Sequence, residues 1–197
     1  MTTEQNPNLH IPDVRLSYFY GHEPYTSDDG KINYGTHLLM KPDHPSIPAI
    51  KAAQRAVAVA MWGADADAVM TQLAAKDRLV LHDGTISKPG NDAYKGVLYV
   101  SANSGKKRYT IVDADRRPLT AADGRPYSGC YANAIIQVWA QQNKFGRGIN
   151  AQICGVQFLR HGEAFGGGRV AAADEFNVVA ASTDAPAPAS GAAAGLF

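Results

Sequence analysis

Residues 130–160 read CYANAIIQVWAQQNKFGRGINAQICGVQFLR. Every second side chain from Ala132 is small or apolar: Ala132, Ala134, Ile136, Val138 and Ala140. The intervening Tyr131, Asn133, Ile135, Gln137, Trp139 and Gln141 mix polar and aromatic groups. Successive side chains of a strand point to opposite faces, so this alternation predicts a long half-buried strand over 130–142. NKFGRG at 143–148 is a hairpin-like connection, and residues 149–160 are its predicted partner strand.

The same period recurs upstream. RLSYFY at 15–20 predicts a strand with Leu16, Tyr18 and Tyr20 on one side, and residues 32–41 predict another whose shared face holds Tyr34, Thr36, Leu38 and Met40. Short strands are expected at 96–102 and 108–113, joined by NSGKK. DGTISKPGNDAYKG before them and Asp123–Gly124 after them read as turns. Between residues 47 and 76 the period changes. Pro45 and Pro48 bracket a helix start, Ile50, Ala53, Val57, Ala60 and Met61 recur at helical spacing, and Trp62–Gly63 end or bend the run. Abundant alanine favours helix through residue 76. The expected organisation is a flexible arm (1–9), one strand-rich domain (10–179) with a helical block at 47–76, and an Ala/Pro-rich tail (180–197). That tail is too poor in bulky apolar groups to contribute much core and is expected to be disordered. Many short strands with glycine turns favour a small barrel over a parallel sheet.

The whole chain has 197 residues and a formal net charge of +1, which predicts no bulk attraction to DNA or membrane. Its distribution is uneven. Residues 1–87 hold 7 Lys/Arg and 10 Asp/Glu, residues 88–169 hold 12 and 5, and residues 170–197 hold none and 3. No run of 18 apolar residues predicts a membrane span, and the start MTTEQNPNLH shows no signal-peptide pattern. Cys130 and Cys154 form no disulfide framework and read as small core residues, so a reducing cytoplasmic setting is the default expectation.

The familiar catalytic patterns are missing. SGKKRY lacks Walker spacing, GGGR at 166–169 opens no helix, and the six histidines are scattered and expected to be incidental. The cysteines lack zinc spacing, and the pairs Asp28–Asp29 and Asp113–Asp115 are explained by turns without a metal. No cofactor, metal or catalytic residue is therefore assigned. Basic and aromatic residues do interleave over 88–147. Cations neutralise phosphates and flat rings stack on exposed bases, so this mixture suits a single-strand binder. A structural or protein-binding β domain explains the same residues: Trp139 as sheet packing, Lys106, Lys107 and Arg108 as a solvated hairpin tip, Tyr99 and Tyr109 as barrel core or rim.

The stretch 127–176 resembles a family of phage single-stranded-DNA-binding proteins, distant relatives of the T7-type protein. The resemblance rests on Tyr-Ser-Gly-Cys at 127–130, the polar-aromatic strand 131–142 and the Gly-Arg-Gly turn at 146–148. It continues through Gly-x-Gln-Phe-x-Arg at 155–160, Gly-Glu-x-x-Gly-Gly at 162–167 and Ala-Asp-Glu-Phe at 173–176. It implies an OB-fold-like barrel, mainly β, with a helical insertion and a disordered C-terminal tail. It also implies non-catalytic, largely sequence-independent protection of single-stranded DNA during replication, recombination or repair in the bacterial host's cytoplasm.

Within that reading, phosphate contact falls to Lys106, Lys107, Arg108, Arg116, Arg117, Lys144 and Arg147. Base stacking falls to Tyr94, Tyr99, Tyr109, Tyr131 and Trp139. Leu196 and Phe197 are expected to meet a replication or recombination partner, and a homodimer is one option for assembly. With Asp184 the only acid after Glu175, the tail should compete weakly with DNA. A phage-particle assembly domain and a small metal-dependent nuclease are the rival readings.

Overall fold

The structure is a computed structural model, described over residues 8–166. Leu196, Phe197, the tail from 180 and the motif at 173–176 lie outside the described residues.

One long hairpin is the backbone of the fold. β6 (Tyr131–Asn143) and β7 (Gly146–Arg160) pair antiparallel from Tyr131↔Arg160 to Asn143↔Gly146. As the alternation predicts, Ala132, Ala134, Ile136 and Val138 are buried while Trp139 faces out. β7 buries Ile149, Ala151 and Ile153, then Val156 and Phe158. A register shift opposite Ile135–Ile136 makes Cys154 an extra residue, and this bulge changes which parity points inward.

β1 (Leu9–Thr26) is long enough to serve two neighbours. Its first half pairs with β6, and its second half pairs with β2 (Ile32–Met40). β4 (Leu98–Gly105) pairs with β2 on one edge. On its other edge it meets the short β3 (Leu81–Asp83) and then β7, through a parallel contact at Ala102↔Ala151. That contact closes the ring β4-β2-β1-β6-β7, a five-stranded barrel with no free edge between those strands. β5 (Thr110–Val112) continues along the same edge of β7.

The helical insertion lies between β2 and β3. α1 (Ile47–Trp62) has Pro48 in its first turn and buries Ile47, Ile50, Gln54 and Ala58, one stripe at 3- and 4-residue spacing. It ends at Gly63, whose φ of 55° suits glycine. α2 (Ala66–Ala75) buries Ala66, Val69 and Leu73. Gln54, buried in this apolar stripe, accepts from the backbone N–H of Val80 at 2.8 Å and of Leu81 at 3.1 Å, pinning the entry to β3. α1 packs on β6, so the insertion closes one side of the barrel.

Two sequence expectations need correction. Leu16 is core, but Tyr18 is exposed, so the two do not share a face. The stretch expected to be only turns, 83–96, folds into α3 (Gly84–Ser87) and a 3₁₀ turn (Asp92–Tyr94), and it lies over the sheet as a strap. No helix among the described residues is long and apolar enough to cross a membrane.

Candidate nucleic-acid interface

The open face of the barrel starts at an irregularity in β1. The pairing with β2 slips between Ser17 and Tyr20, and Tyr18 takes a φ of +45°. A non-glycine residue there costs about 1–2 kcal/mol. Neighbouring bonds hold it: Phe19 N–H donates to Ser128 Oγ at 2.9 Å, and Thr36 Oγ1–H donates to the Ser17 carbonyl at 3.1 Å. The slip leaves the Tyr18 side chain 43% exposed on the outer face, beside the paired rings of Tyr20 and Tyr25.

These three tyrosines line a groove of about 300 Å³ with Asn33, Gly35, His37, Lys88 and Asn103. Lys88 Nζ lies 5.7 Å from the Tyr18 ring centroid. At Gly35 the strands crowd, since a Cβ would sit 2.8 Å from the Ala102 carbonyl oxygen. Asn33 Nδ2 donates to Asn103 Oδ1 at 2.8 Å across the groove floor.

Asn103 also belongs to a second groove of about 320 Å³, with Arg78, His82, Ser101, Trp139 and Asn150. Trp139 is 40% exposed there. Arg78 donates to the Phe145 carbonyl at 3.3 Å and lies over Gly146 and Gly148, where a Cβ would be 3.1 and 3.6 Å from its guanidinium. The β6–β7 tip beyond carries Lys144, Arg147 and Phe145, whose ring is 73% exposed with Lys144 Nζ 5.1 Å from its centroid. Lys106 and Lys107 are exposed on the turn after β4. Arg108 is tied back, donating from Nε to Tyr34 Oη at 3.0 Å. The two grooves form one track over β1, β2, β4 and the β6–β7 hairpin, with cations, ring faces and amide groups open together.

The structure brings Trp139 to that track and Lys144 and Arg147 to the hairpin tip at its border, while Lys106 and Lys107 line neither groove. It does not bring the other expected residues there. Tyr94, Tyr99 and Tyr109 are buried at 0, 4 and 8% exposure, which corrects their expected role as open stacking platforms. Tyr94 and Tyr99 pack with Leu39 under the strap, and Tyr109 fills the barrel beside Gly21 and Gly35. Tyr131 has one ring face already covered by Arg160, 4.0 Å away. Arg116 lines a separate groove of about 860 Å³ with Val112, Ile135 and Gln157, which shares no residue with the track. Arg117 is ion-paired with Asp115 at 3.0 Å.

Sequence reasoning passed over Tyr18, Tyr20, Tyr25, Asn33, His37, Arg78, His82, Lys88 and Asn103 as site residues. The aromatic density of RLSYFY was a signal for Tyr18 and Tyr20, though not for Tyr25. Arg78 offered none, since it sits in the acidic part of the sequence. His37 is not an incidental surface histidine. Burial, then Lys88 and His82, lower its pKa to about 4, so it is neutral at physiological pH. Among the described residues, no group of three His, Cys, Asp or Glu could hold a metal ion.

Comparison with known proteins gives a consistent set of likenesses. Residues 8–186 match the family described as Enterobacter phage Enc34, ssDNA-binding protein. A protein designated p50, from Acyrthosiphon pisum secondary endosymbiont phage 1, is 38% identical over 173 residues, covering 86% of this chain and 92% of that protein. The single-stranded DNA-binding protein from bacteriophage Enc34, solved in complex with ssDNA, is similar at 26% identity and a TM-score of 0.62, over 81% of this chain and 89% of that one. The fold is also that of gp2.5, a single-stranded DNA-binding protein encoded by bacteriophage T7, with 15% identity, a TM-score of 0.55 and coverage of 89% and 100%.

Proposed function

Because the chain belongs to the family of the Enterobacter phage Enc34 single-stranded-DNA-binding protein, we propose that it binds and shields single-stranded DNA without catalysis. The observation that carries this reading is the open track in which Tyr18 and Trp139 offer rings while Lys88 and Arg78 offer positive charge. Rings support bases of any identity and cations hold the phosphates, so the grip is largely independent of sequence. A strand seated there is kept from re-pairing and from nucleases during replication, recombination or repair. Contact of Leu196 and Phe197 with a replication or recombination protein belongs to the same proposal and rests on their apolar character. The test is a titration of labelled oligo(dT) and of a duplex at two salt concentrations. Salt-sensitive preference for the single strand is expected, and its absence overturns the proposal.

A further inference from the structure

His37 and Tyr94 form a partly buried polar pair at the first groove. Tyr94 is fully buried, and its hydroxyl lies 2.7 Å from His37 Nδ1. Burial raises the pKa of this phenol, so it stays neutral and has an O–H to donate to Nδ1. With Nδ1 accepting that hydrogen, the neutral imidazole carries its own on Nε2. Nε2 makes no hydrogen bond within the described chain, and His37 lines the groove.

The ring is held on several sides. Tyr99 stacks on it at 5.0 Å, and Tyr18 meets it edge-on at 5.1 Å. His82, bonded to Asp77, stacks on Tyr99 in turn. Lys88 reaches in from the strap. The charged and titratable groups around His37 are therefore Lys88, the His82–Asp77 pair and the phenols of Tyr18, Tyr94 and Tyr99. Among the described residues no carboxylate lines this groove. An N–H donor and an ammonium group thus share a groove that no carboxylate lines, with Asp77 set back beside His82 in the adjoining groove, which is the chemistry of an anion site.

We propose that His37, aimed by Tyr94, donates its Nε2–H to a backbone phosphate of the bound strand beside Lys88. This rests on the single-strand reading above and adds the residue through which binding responds to acidity. In the free groove His37 resists protonation because it is desolvated and faces Lys88. A phosphate on Nε2 stabilises the imidazolium, so the complex takes up a proton that the free protein does not. Affinity then climbs as pH falls toward the free-state value.

The test measures oligo(dT) affinity of the full chain from about pH 7.5 to 5 at constant ionic strength, with melting temperatures alongside. Wild type is expected to tighten as pH falls. His37→Phe keeps a ring but has no N–H, and should bind about 3- to 10-fold more weakly with no such response. His37→Gln restores a donor and should recover part of the affinity without the pH response. Tyr94→Phe keeps the packing and should blunt both. A wild-type pH response and affinity in His37→Phe, or no response in wild type, overturns the proposal while single-strand binding stands. Failure of wild type to bind oligo(dT) at any pH overturns the functional reading itself.

Discussion

Lys88 Nζ sits 5.7 Å from the centroid of the Tyr18 ring, so a cation on the strap and a ring on the β1 bulge meet at one open groove. A single-strand site needs that meeting, because a phosphate and its base are contacted together. The strained Tyr18 backbone is the device that turns the ring outward.

Tyr18→Gly should therefore separate binding from stability. Stacking on one ring is worth about 1–3 kcal/mol, so oligo(dT) affinity should fall roughly 5- to 150-fold. Glycine accepts positive φ freely, so urea unfolding should shift by no more than about 1 kcal/mol. Fluorescence titration and denaturation of the same preparation check this. Unchanged affinity would remove Tyr18 from the site.

Tyr109 should behave in the opposite way. Its ring fills the barrel, so Tyr109→Ala should cost about 3–5 kcal/mol of stability. Tyr109→Phe loses only a hydroxyl 3.5 Å from the Gly35 carbonyl and should bind oligo(dT) within about 2-fold of wild type. A large binding defect in a fully folded Tyr109→Phe would argue that the residue reaches DNA.

Much of the barrel was legible because period-two patterns are local. Residues 131–143 alternate cleanly, and Tyr34, Thr36, Leu38 and Met40 are buried as their spacing predicts. The β1 slip at Tyr18 and the extra residue at Cys154 were not legible, since a bulge reverses the facing of the residues beyond it without an obligatory residue type. The site was legible only in part for a related reason. Tyr94, Tyr99 and Tyr109 have the composition of stacking residues, but packing of the strap and the barrel decides their burial. Arg78 reaches the track beside Gly146, distant in sequence, where a Cβ would crowd its guanidinium at 3.1 Å.

Salt dependence should sort the cations. Each phosphate neutralised on a single strand contributes about 0.7 to the slope of log affinity against log salt. Lys88 lines the track and makes no ion pair among the described residues, so Lys88→Ala should flatten the slope by about that amount. Arg117 is already paired with Asp115 and lies on the turn that bounds the other groove, so Arg117→Ala should leave the slope nearly unchanged. Equal effects from both would mean that DNA extends beyond the track.

Deleting residues 180–197 removes one acid, Asp184. Electrostatic competition with the track should be correspondingly small. Oligo(dT) affinity at low salt should change by less than about 3-fold, where a strongly acidic competitor would cause a much larger gain on removal. A large gain would assign the segment an inhibitory role that its charge does not predict.

Acid stability should report His37 directly. Its folded pKa is lowered to about 4, against about 6.5 in an unfolded chain. Between those values the unfolded chain binds more protons, so stability is fully present above about pH 6.5 and is lost as pH falls toward 4. The loss should be on the order of 3 kcal/mol across that window. Asp123 titrates elsewhere: hydrogen bonds from the Thr120 backbone and side chain hold it below the usual range, so its contribution is lost only below about pH 4. Urea unfolding at pH values from about 7 to 4.5 should therefore show a slope in wild type that His37→Gln removes. If the variant kept the whole slope, the neutral, desolvated His37 would not be its source.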